Sequence, residues 1–186
     1  MKKYELTSET KVINGLELHR IKALKSFGNI YEGDLGGWIE SEKNLSQDGN
    51  AWVYDNAKVY GNAKVYGDAW VYGNAKVYGN AKIEDNVEVG GNAKVCGNAI
   101  VGGNTAISGN TIVGGNADYI VFKNWWSSGR YFTWTRSNNK WKVGCFYGSG
   151  EELITKAYKD SEKSGREYER VVKYVESILK EENNNK

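Results

Sequence analysis

Residues 61–78 read GNAKVYGDAWVYGNAKVY, three copies of one six-residue unit placed end to end. The unit continues in both directions, without insertion or deletion, from Gly49 to Ala117. Its second position is Asn in every copy except Asp68, and its fifth position is Val or Ile throughout. A repeat this regular predicts a solenoid, in which each unit buries its apolar side against the units stacked beside it.

The order of residues inside the unit predicts which side chains face the interior. Residues two apart in a strand point to the same side, so the Ala and Val of each unit share one side and the Lys and Tyr share the other. Gly and Asn follow as a corner, because these two residues tolerate a left-handed backbone best. Short strands joined by such corners are expected to coil the chain into a prism with an aliphatic core.

An aliphatic residue followed four residues later by Ala, Thr or Val resembles the hexapeptide-repeat family. The resemblance implies three units in each turn of 18 residues and a left-handed coil. We therefore expect a mainly β fold, a left-handed parallel β-helix with an N-terminal β cap and a C-terminal α+β module. Because proteins with this repeat usually assemble as trimers with parallel axes, the resemblance also implies a homotrimer.

The sequences on either side of the repeat predict a different structure at each end. We expect an N-terminal β-hairpin cap over residues 1–36, the β-helix over 37–117 and a C-terminal aromatic β-hairpin with two helices over 118–186. Asn14-Gly15 lies between strands predicted at Thr10–Ile13 and from Leu16, and this pair is a strong two-residue turn signal. Trp38–Glu40 and Leu45–Ser46 are interpreted as one interrupted coil.

The segment after Asp118 has a new composition. Arg130–Arg136 and Trp141–Tyr147 are predicted to be the two strands of a hairpin. Ser149 is typical of a helix N-cap, with acidic residues in the turn that follows it. A second helix is expected after Gly165, and the final EENNNK is expected to be frayed.

The outward positions of the last coils change from Lys and Tyr to small or aliphatic residues. Ile100, Ala106 and Ile112 are the bulkiest of these. Apolar side chains that point outward predict a covering surface. Either the C-terminal segment or sister subunits can supply that cover, and on the trimer expectation we assign these three residues to an oligomer interface.

A dense group of aromatic and cationic residues in the C-terminal segment is the first candidate binding surface. Aromatic rings and Arg dominate the energetics of protein interfaces, and they also stack and pair nucleotides. Some of these side chains must fill the core of the hairpin itself. The predicted contact residues are Trp125, Trp126, Arg130, Tyr131, Arg136, Lys140 and Trp141. Trp52 and Trp70, which lie on one face of the predicted coil, are the second candidate.

Candidate catalytic groups are scarce. Acyltransferases of the hexapeptide-repeat family need an imidazole base between subunits, and this chain has one histidine, His19, outside the coils. A zinc site of three histidines within one chain is excluded by the same count. Cys96 and Cys145 have no metal-binding spacing and no neighbouring activating group. We therefore predict a non-enzyme with no catalytic residue, no metal and no cofactor.

Two longer segments point to a source. Residues 3–67, beginning KYELTSETKVINGLELHRIKALKSF, are similar to hexapeptide-repeat proteins of phages and prophages of Gram-positive bacteria. Residues 131–154, YFTWTRSNNKWKVGCFYGSGEELI, resemble the module that often follows that repeat. The resemblance implies a phage accessory protein, and we expect an oligomeric inhibitor of a host factor such as a CRISPR component of antiphage defence.

Two alternatives remain beside the inhibitor. One is a sponge that holds an anionic nucleotide signal between subunits, and the other is a degenerate hexapeptide acyltransferase. The net charge of +2 does not favour nucleic acid as a partner, and no apolar stretch predicts a membrane span or a signal peptide. The expected location is the host cytoplasm.

Overall fold

A computed structural model describes residues 2–184 of the chain. The chain forms two compact units. The first unit runs to Ile120 and also includes Thr135–Asn138, whereas the second comprises Val121–Trp134 and the residues from Asn139 onward.

The first unit begins with an antiparallel hairpin. Strands β1 (Tyr4–Ile13) and β2 (Leu16–Ala23) are joined at Asn14-Gly15, where both residues have positive φ angles of 52° and 79°. The predicted turn is therefore confirmed. Strand β1 begins six residues earlier than the predicted Thr10, at Tyr4, because Tyr4 is fully buried there in the core of the unit.

Strand β3 (Leu35–Ile39) joins this hairpin to the coil. It pairs antiparallel with β2 and parallel with the coil strand Lys58–Val59, with Trp38 beside Lys58. After a short 3-10 turn at Glu42–Asn44, Leu45 forms a parallel bridge with Val65. The interpretation of this segment as an interrupted coil is confirmed.

The repeat forms a parallel β-solenoid of about four turns. Its strands are two residues long and stack in three columns, so that each residue lies beside the residue 18 positions further along. The strands are β4 (Trp52–Val53), β5 (Lys58–Val59), β6 (Lys64–Val65), β7 (Trp70–Val71), β8 (Lys76–Val77), β9 (Lys82–Ile83), β10 (Glu88–Val89), β11 (Lys94–Val95), β12 (Ile100–Val101), β13 (Ala106–Ile107) and β14 (Ile112–Val113).

The aliphatic positions fill the interior of the solenoid as predicted. Val77, for example, is fully buried between Val59 and Val95 in the neighbouring turns, whereas Lys76 is partly exposed. The corners differ from the prediction in one respect. Where a corner is left-handed, only its first residue has a positive φ, as at Gly61 with a φ of 69°. At several corners the Asn that follows donates its side-chain amide to the Asn 18 residues further along, as from Asn80 to Asn98 over 3.0 Å.

The N-terminal end of the solenoid exposes carbonyl groups, because each backbone N–H donates toward the following turn. Donors from outside the repeat bind these carbonyls. Lys3 Nζ donates to Ala51 O over 3.0 Å, and Asn44 Nδ2 donates to Ala63 O over 2.9 Å. Tyr4 donates its hydroxyl to Leu45 O over 2.6 Å. This set of donors closes one strand edge, which unpaired would template aggregation.

The C-terminal end exposes N–H groups, and acceptors bind them. Asn116 Oδ1 accepts from the N–H of Ile100 and Ser137 Oγ from that of Ile112, both over 2.8 Å. Asp118 accepts from two further backbone N–H groups, those of Gly114 and Gly115. The two ends are thus closed by groups of opposite kind, donors at one and acceptors at the other.

The C-terminal sheet has four strands, of which the second and third form the predicted hairpin. Its order is β15 (Tyr119–Lys123), β16 (Tyr131–Thr135), β17 (Lys140–Val143) and β18 (Phe146–Gly148). The segment predicted as one strand over Trp141–Tyr147 is divided between β17 and β18. It breaks at Gly144, whose φ of 54° turns the chain back so that β18 pairs antiparallel with β17.

Two helices follow the sheet. Helix α1 (Gly150–Asp160) begins at the predicted N-cap, where Ser149 and Glu152 bond reciprocally to each other's backbone N–H. Helix α2 (Glu162–Asn184) begins before Gly165 and not after it. Gly165 lies within the helix because the ring of Tyr158 packs against it, and a Cβ atom there would lie 2.3 Å from that ring.

The tail expected to be frayed is helical as far as Asn184. Asn185 and Lys186 lie outside the described residues.

Candidate functional site

Two of the tryptophans predicted as contacts fill the core of the second unit. Trp126 packs edge-on against Tyr168 of α2, with ring centroids 5.0 Å apart. Trp141 packs against Phe122 and Phe132 at 5.8 and 6.0 Å. Both indoles are buried. The prediction of a contact surface at Trp126 and Trp141 is therefore wrong, since their faces are covered by other rings of the chain.

Trp125 lies on the surface, with 72% of its area exposed. Its ring meets the buried ring of Trp126 edge-on at 6.0 Å and 87°. The loop around it, which we call the Trp125 loop (residues 124–130), is closed at its base because the N–H of Asn124 donates to Arg130 O over 2.8 Å. Asn124 also donates its side-chain amide to the hydroxyl of Tyr168 over 2.9 Å. An exposed indole is thus held by an anchored loop.

Arg130 ends the Trp125 loop and Tyr131 follows it, and both are exposed. The ammonium group of Lys123 lies 5.5 Å from the centre of the Tyr131 ring. Lys123 therefore adds positive charge beside Tyr131. This combination of exposed rings and cations is typical of the residues that dominate protein interfaces.

A cavity of about 240 Å³ lies within the second unit, beneath the Trp125 loop. Arg130 and Lys156 line it together with the hydroxyl groups of Ser127 and Ser128, and Asp160 is the acidic residue of the lining. Its apolar wall includes Leu153 and Ala157 of α1 and Tyr168 of α2. A cavity with two cations, one carboxylate and several hydroxyl groups suits a small anion.

The remaining predicted contacts of the C-terminal segment have partners. The Arg136 guanidinium donates from Nε to Ala117 O over 3.1 Å, at the C-terminal end of the solenoid in the first unit. The ammonium group of Lys140 lies 3.8 Å from the Glu152 carboxylate.

The two tryptophans of the solenoid face also differ in exposure. Trp52 is only 1% exposed, because Tyr4 and Phe27 pack edge-on against its ring at 6.1 and 5.4 Å. The prediction that Trp52 belongs to an outer surface is wrong for that reason. Trp70, in the next turn, is half-buried and packs edge-on against Tyr54 at 5.8 Å.

The residues assigned to an oligomer interface remain accessible in the chain. Ile100 is 40% and Ile112 45% exposed, and Ala106 is partly buried.

Groups with conventional catalytic or metal chemistry are dispersed. His19 lies on β2, between Thr10 and Ile39 of its neighbouring strands. Cys145 is exposed, whereas Cys96 is half-buried and forms a hydrogen bond that raises the pKa of the Tyr78 hydroxyl to about 12. Within residues 2–184, no three His, Cys, Asp or Glu side chains are placed to hold a metal ion.

No helix in residues 2–184 combines the length and apolar character needed to span a membrane.

Sequence reasoning missed Ser127, Ser128 and Lys156 as lining residues of the cavity. Lys156 belongs to α1, and its approach to the Trp125 loop depends on how the helix packs against the sheet. A lysine in a helix with an exposed polar face carries no local signal of that kind.

Comparison with known proteins gives one partial likeness and no match to a family model. The chain is 36% identical over 63 residues to the protein named uncharacterized acetyltransferase YdcK of Escherichia coli (strain K12). The matched stretch covers 30% of this chain and 19% of that protein, so the chain spans about a fifth of the relative's length. Together with the stacked parallel strands, this likeness indicates a fold similar to that of hexapeptide-repeat transferases.

Proposed function

We propose that this chain is a non-enzymatic protein of phage or prophage origin that binds and inhibits a host factor in the host cytoplasm. The proposed target is a component of antiphage defence, such as a CRISPR effector. In this proposal the solenoid is a left-handed coil, assembles as a homotrimer and serves as a rigid spacer.

The exposed and anchored Trp125 is the observation that carries the proposal. Exposed large apolar side chains on monomers are ordinarily scattered, but this indole packs edge-on against the buried ring of Trp126 in a loop that is closed at its base. A side chain that is already ordered loses little conformational entropy when a partner covers it. Trp125 therefore has the properties of an interface hot spot, and the exposed Arg130 ends the same loop.

The test is capture of the partner from the host. The tagged full-length chain is expressed in a Gram-positive host, and the proteins that co-purify are identified by mass spectrometry. We expect a stoichiometric host protein, whose affinity falls at least about 30-fold in Trp125→Ala, since a hot-spot residue contributes about 2 kcal/mol or more. Arg130→Ala should weaken it as well.

Tyr174→Ala is the matched control, because Tyr174 is an exposed ring on α2 of the same unit. It should leave capture unchanged. If the Trp125 and Arg130 variants still capture the host protein fully, the Trp125 loop is not the contact surface. If the purified chain retains no host protein at all, the proposal that it inhibits a host factor is wrong.

The cavity beneath the Trp125 loop favours a second function, a sponge for a small anionic nucleotide. Its two cations and several hydroxyl groups lie within one chain rather than between subunits. Purified protein would then release a nucleotide on denaturation. Lys156→Gln should abolish that release, whereas Trp125→Ala should not, because Trp125 does not line the cavity.

The likeness to YdcK favours a third function, that of a degenerate acetyltransferase. This function requires binding of acetyl-coenzyme A and an activity that is lost in His19→Ala.

A further inference from the structure

Two adjoining cavities of about 260 and 380 Å³ lie on the solenoid face that contains β4, β7 and β10. Asn29, Tyr54, Trp70 and Glu88 line both of them, so the two form one continuous groove. We call it the aromatic groove. Its full set of aromatic and acidic lining residues is Tyr54, Trp70, Tyr72, Asp55, Asp68 and Glu88.

The aromatic walls of the groove are held in place. Tyr54 meets Trp70 edge-on at 68°. The Tyr72 ring lies across Gly90 in the next turn, where a Cβ atom would come within 2.2 Å of its Cζ. In the two earlier turns of this face the same position carries Tyr54 and Tyr72. The absence of a side chain at Gly90 leaves room for the Tyr72 ring to pack across it. Burial raises the pKa of both tyrosines, which keeps the two phenols neutral.

The charged residues that line the groove are all acidic. Asp68 accepts from the Asn50 side chain over 2.9 Å, and Asp55 accepts from the N–H of Gly73 over 3.3 Å. Glu88 lies directly beside Trp70 on the next strand. Its exposed carboxylate has no side-chain hydrogen bond or ion pair in the part of the chain that the structure describes. Among residues 2–184, no Lys or Arg lines either cavity.

Aromatic faces beside an unpaired carboxylate select one kind of ligand. The face of an indole attracts cations through its quadrupole, and the attraction is strongest for Trp. A guanidinium group fits this site better than an ammonium group. It is planar, stacks on a ring and presents a fork of N–H donors to a carboxylate.

We propose that the aromatic groove binds an arginine side chain from an extended segment of a partner protein. The guanidinium stacks on Trp70 and pairs with Glu88, while Asp55 and Asp68 add to the negative potential. The amide side chains of Asn29 and Asn86 at the rim are available to the backbone of the segment. This inference rests on the proposed binding function and names the chemistry of a second contact, separate from the Trp125 loop.

The test uses the full chain labelled with ¹⁵N and the peptide acetyl-Gly-Arg-Gly-amide as the probe. The indole N–H signal of Trp70 is assigned by its loss in Trp70→Leu and followed during titration. We expect a saturable shift of this signal. The same peptide with citrulline in place of arginine, which is neutral and nearly isosteric, should bind at least tenfold more weakly.

Glu88→Gln should weaken binding of the arginine peptide at least fivefold. Glu84→Gln is the matched control, because Glu84 lies outside the groove lining and its carboxylate bonds to Tyr66. Equal binding of the citrulline peptide, or an unchanged affinity in Glu88→Gln, overturns the proposal. Tetramethylammonium binding as tightly as the peptide also overturns it, since the groove would then be a site for small cations.

The outcomes separate this inference from the proposed function. If the arginine peptide binds and no host protein is captured, the groove is an arginine site and the proposal of a host-factor inhibitor is wrong. If a host protein is captured through Trp125 and the peptide does not bind, the inhibitor stands and the groove is not an arginine site.

Discussion

Lys3 shows how a single side chain closes the N-terminal end of the solenoid. Only 1% of it is exposed, and its ammonium group lies among the carbonyls of Asp48, Gly49 and Ala51 at 3.4, 3.4 and 3.0 Å. Burial lowers its pKa from 10.5 to about 8, against the opposing effect of the nearby Asp48 carboxylate. At this position the Lys3 amino group donates hydrogen bonds to the carbonyls, while burial destabilises its protonated form.

This shift makes stability depend on pH in a defined window. Between about 8 and 10.5 the unfolded chain keeps the Lys3 proton and the folded chain has lost it, so the free energy of unfolding rises with pH. We expect this rise in the wild type and its absence in Lys3→Met. Urea unfolding at pH values across the window measures it. Comparison of the two proteins cancels the contributions of other titrating groups.

Lys3→Met should also lower stability at every pH, by about 1–3 kcal/mol, because it leaves buried carbonyls without a donor. Wild-type and variant curves that run parallel through the window would show that Lys3 does not titrate as described.

For single residues, the sequence predicts the burial of side chains at periodic positions. It gives no signal for the roles of side chains outside the repeat. The inward Val column could be predicted because every sixth residue repeats it, and Val77 is fully buried as expected. Lys3 gives no such signal, because its role depends on carbonyls more than forty residues away in the chain. Trp125 and Trp126 are adjacent, and only the packing of Tyr168 against one of them decides which is exposed.

Among the elements, the start of α2 is the clearest departure from expectation. A glycine following a serine predicts a break between helices, yet Gly165 lies one turn inside α2 and the break falls at Ser161. The side chain of Ser161 accepts from the N–H of Ser164 and so begins the helix. The glycine is required instead by the close approach of the two helices at Tyr158.

Gly165→Ala should therefore destabilise the second unit. In an exposed helix the change would stabilise by about 1 kcal/mol. Here the added methyl group meets the Tyr158 ring, and we expect a net loss of about 1–3 kcal/mol. Denaturant unfolding of the full chain measures the loss.

Tyr158→Ala provides the control background, because removing the ring removes the clash. There Gly165→Ala should become neutral or stabilising, which makes the two changes strongly non-additive. An equal loss in both backgrounds would mean that Tyr158 is not the reason for the glycine.

The strands of the C-terminal sheet show the same limit of local pattern. A run of alternating residues over Trp141–Tyr147 reads as one strand, and a single left-handed glycine, Gly144, divides it into two. Glycine is compatible with both outcomes, so the sequence alone did not distinguish them.

For the whole molecule, the exposed aliphatic side chains of the last turns bear on assembly. In the proposed homotrimer, Ile100 and Ile112 meet sister subunits. Ile100→Lys with Ile112→Lys should then convert the trimer to a monomer, because two buried charges without partners cannot be accommodated in an interface. Light scattering coupled to size-exclusion chromatography measures the mass.

Val12→Lys is the matched control, since Val12 is an exposed aliphatic residue on the N-terminal hairpin. It should leave the mass unchanged. A wild-type protein that is monomeric at all concentrations would contradict the trimer directly.

The overall architecture was the most predictable property and the function the least. Four positions of the six-residue unit, those of Gly, Asn, Ala and Val, recur in register along the repeat. They dictate stacked parallel strands, because every turn must bury the same positions. The residues that distinguish the candidate sites do not recur along the sequence, so no repeated pattern predicts them. The aromatic groove depends on Glu88 and Gly90, which replace the Trp and Tyr that the two earlier turns carry at these positions on that face.

The opposite chemistry of the two solenoid ends determines how copies of the chain would join if their closures were removed. One end would present bare carbonyls and the other bare amides, so each end would match the far end of another copy and not its own kind. Such surfaces propagate in one direction without closing, and they produce a fibre rather than a ring. The few residues that close the ends, Lys3 and Asp118 among them, therefore act as stop signals that keep this solenoid at a fixed length.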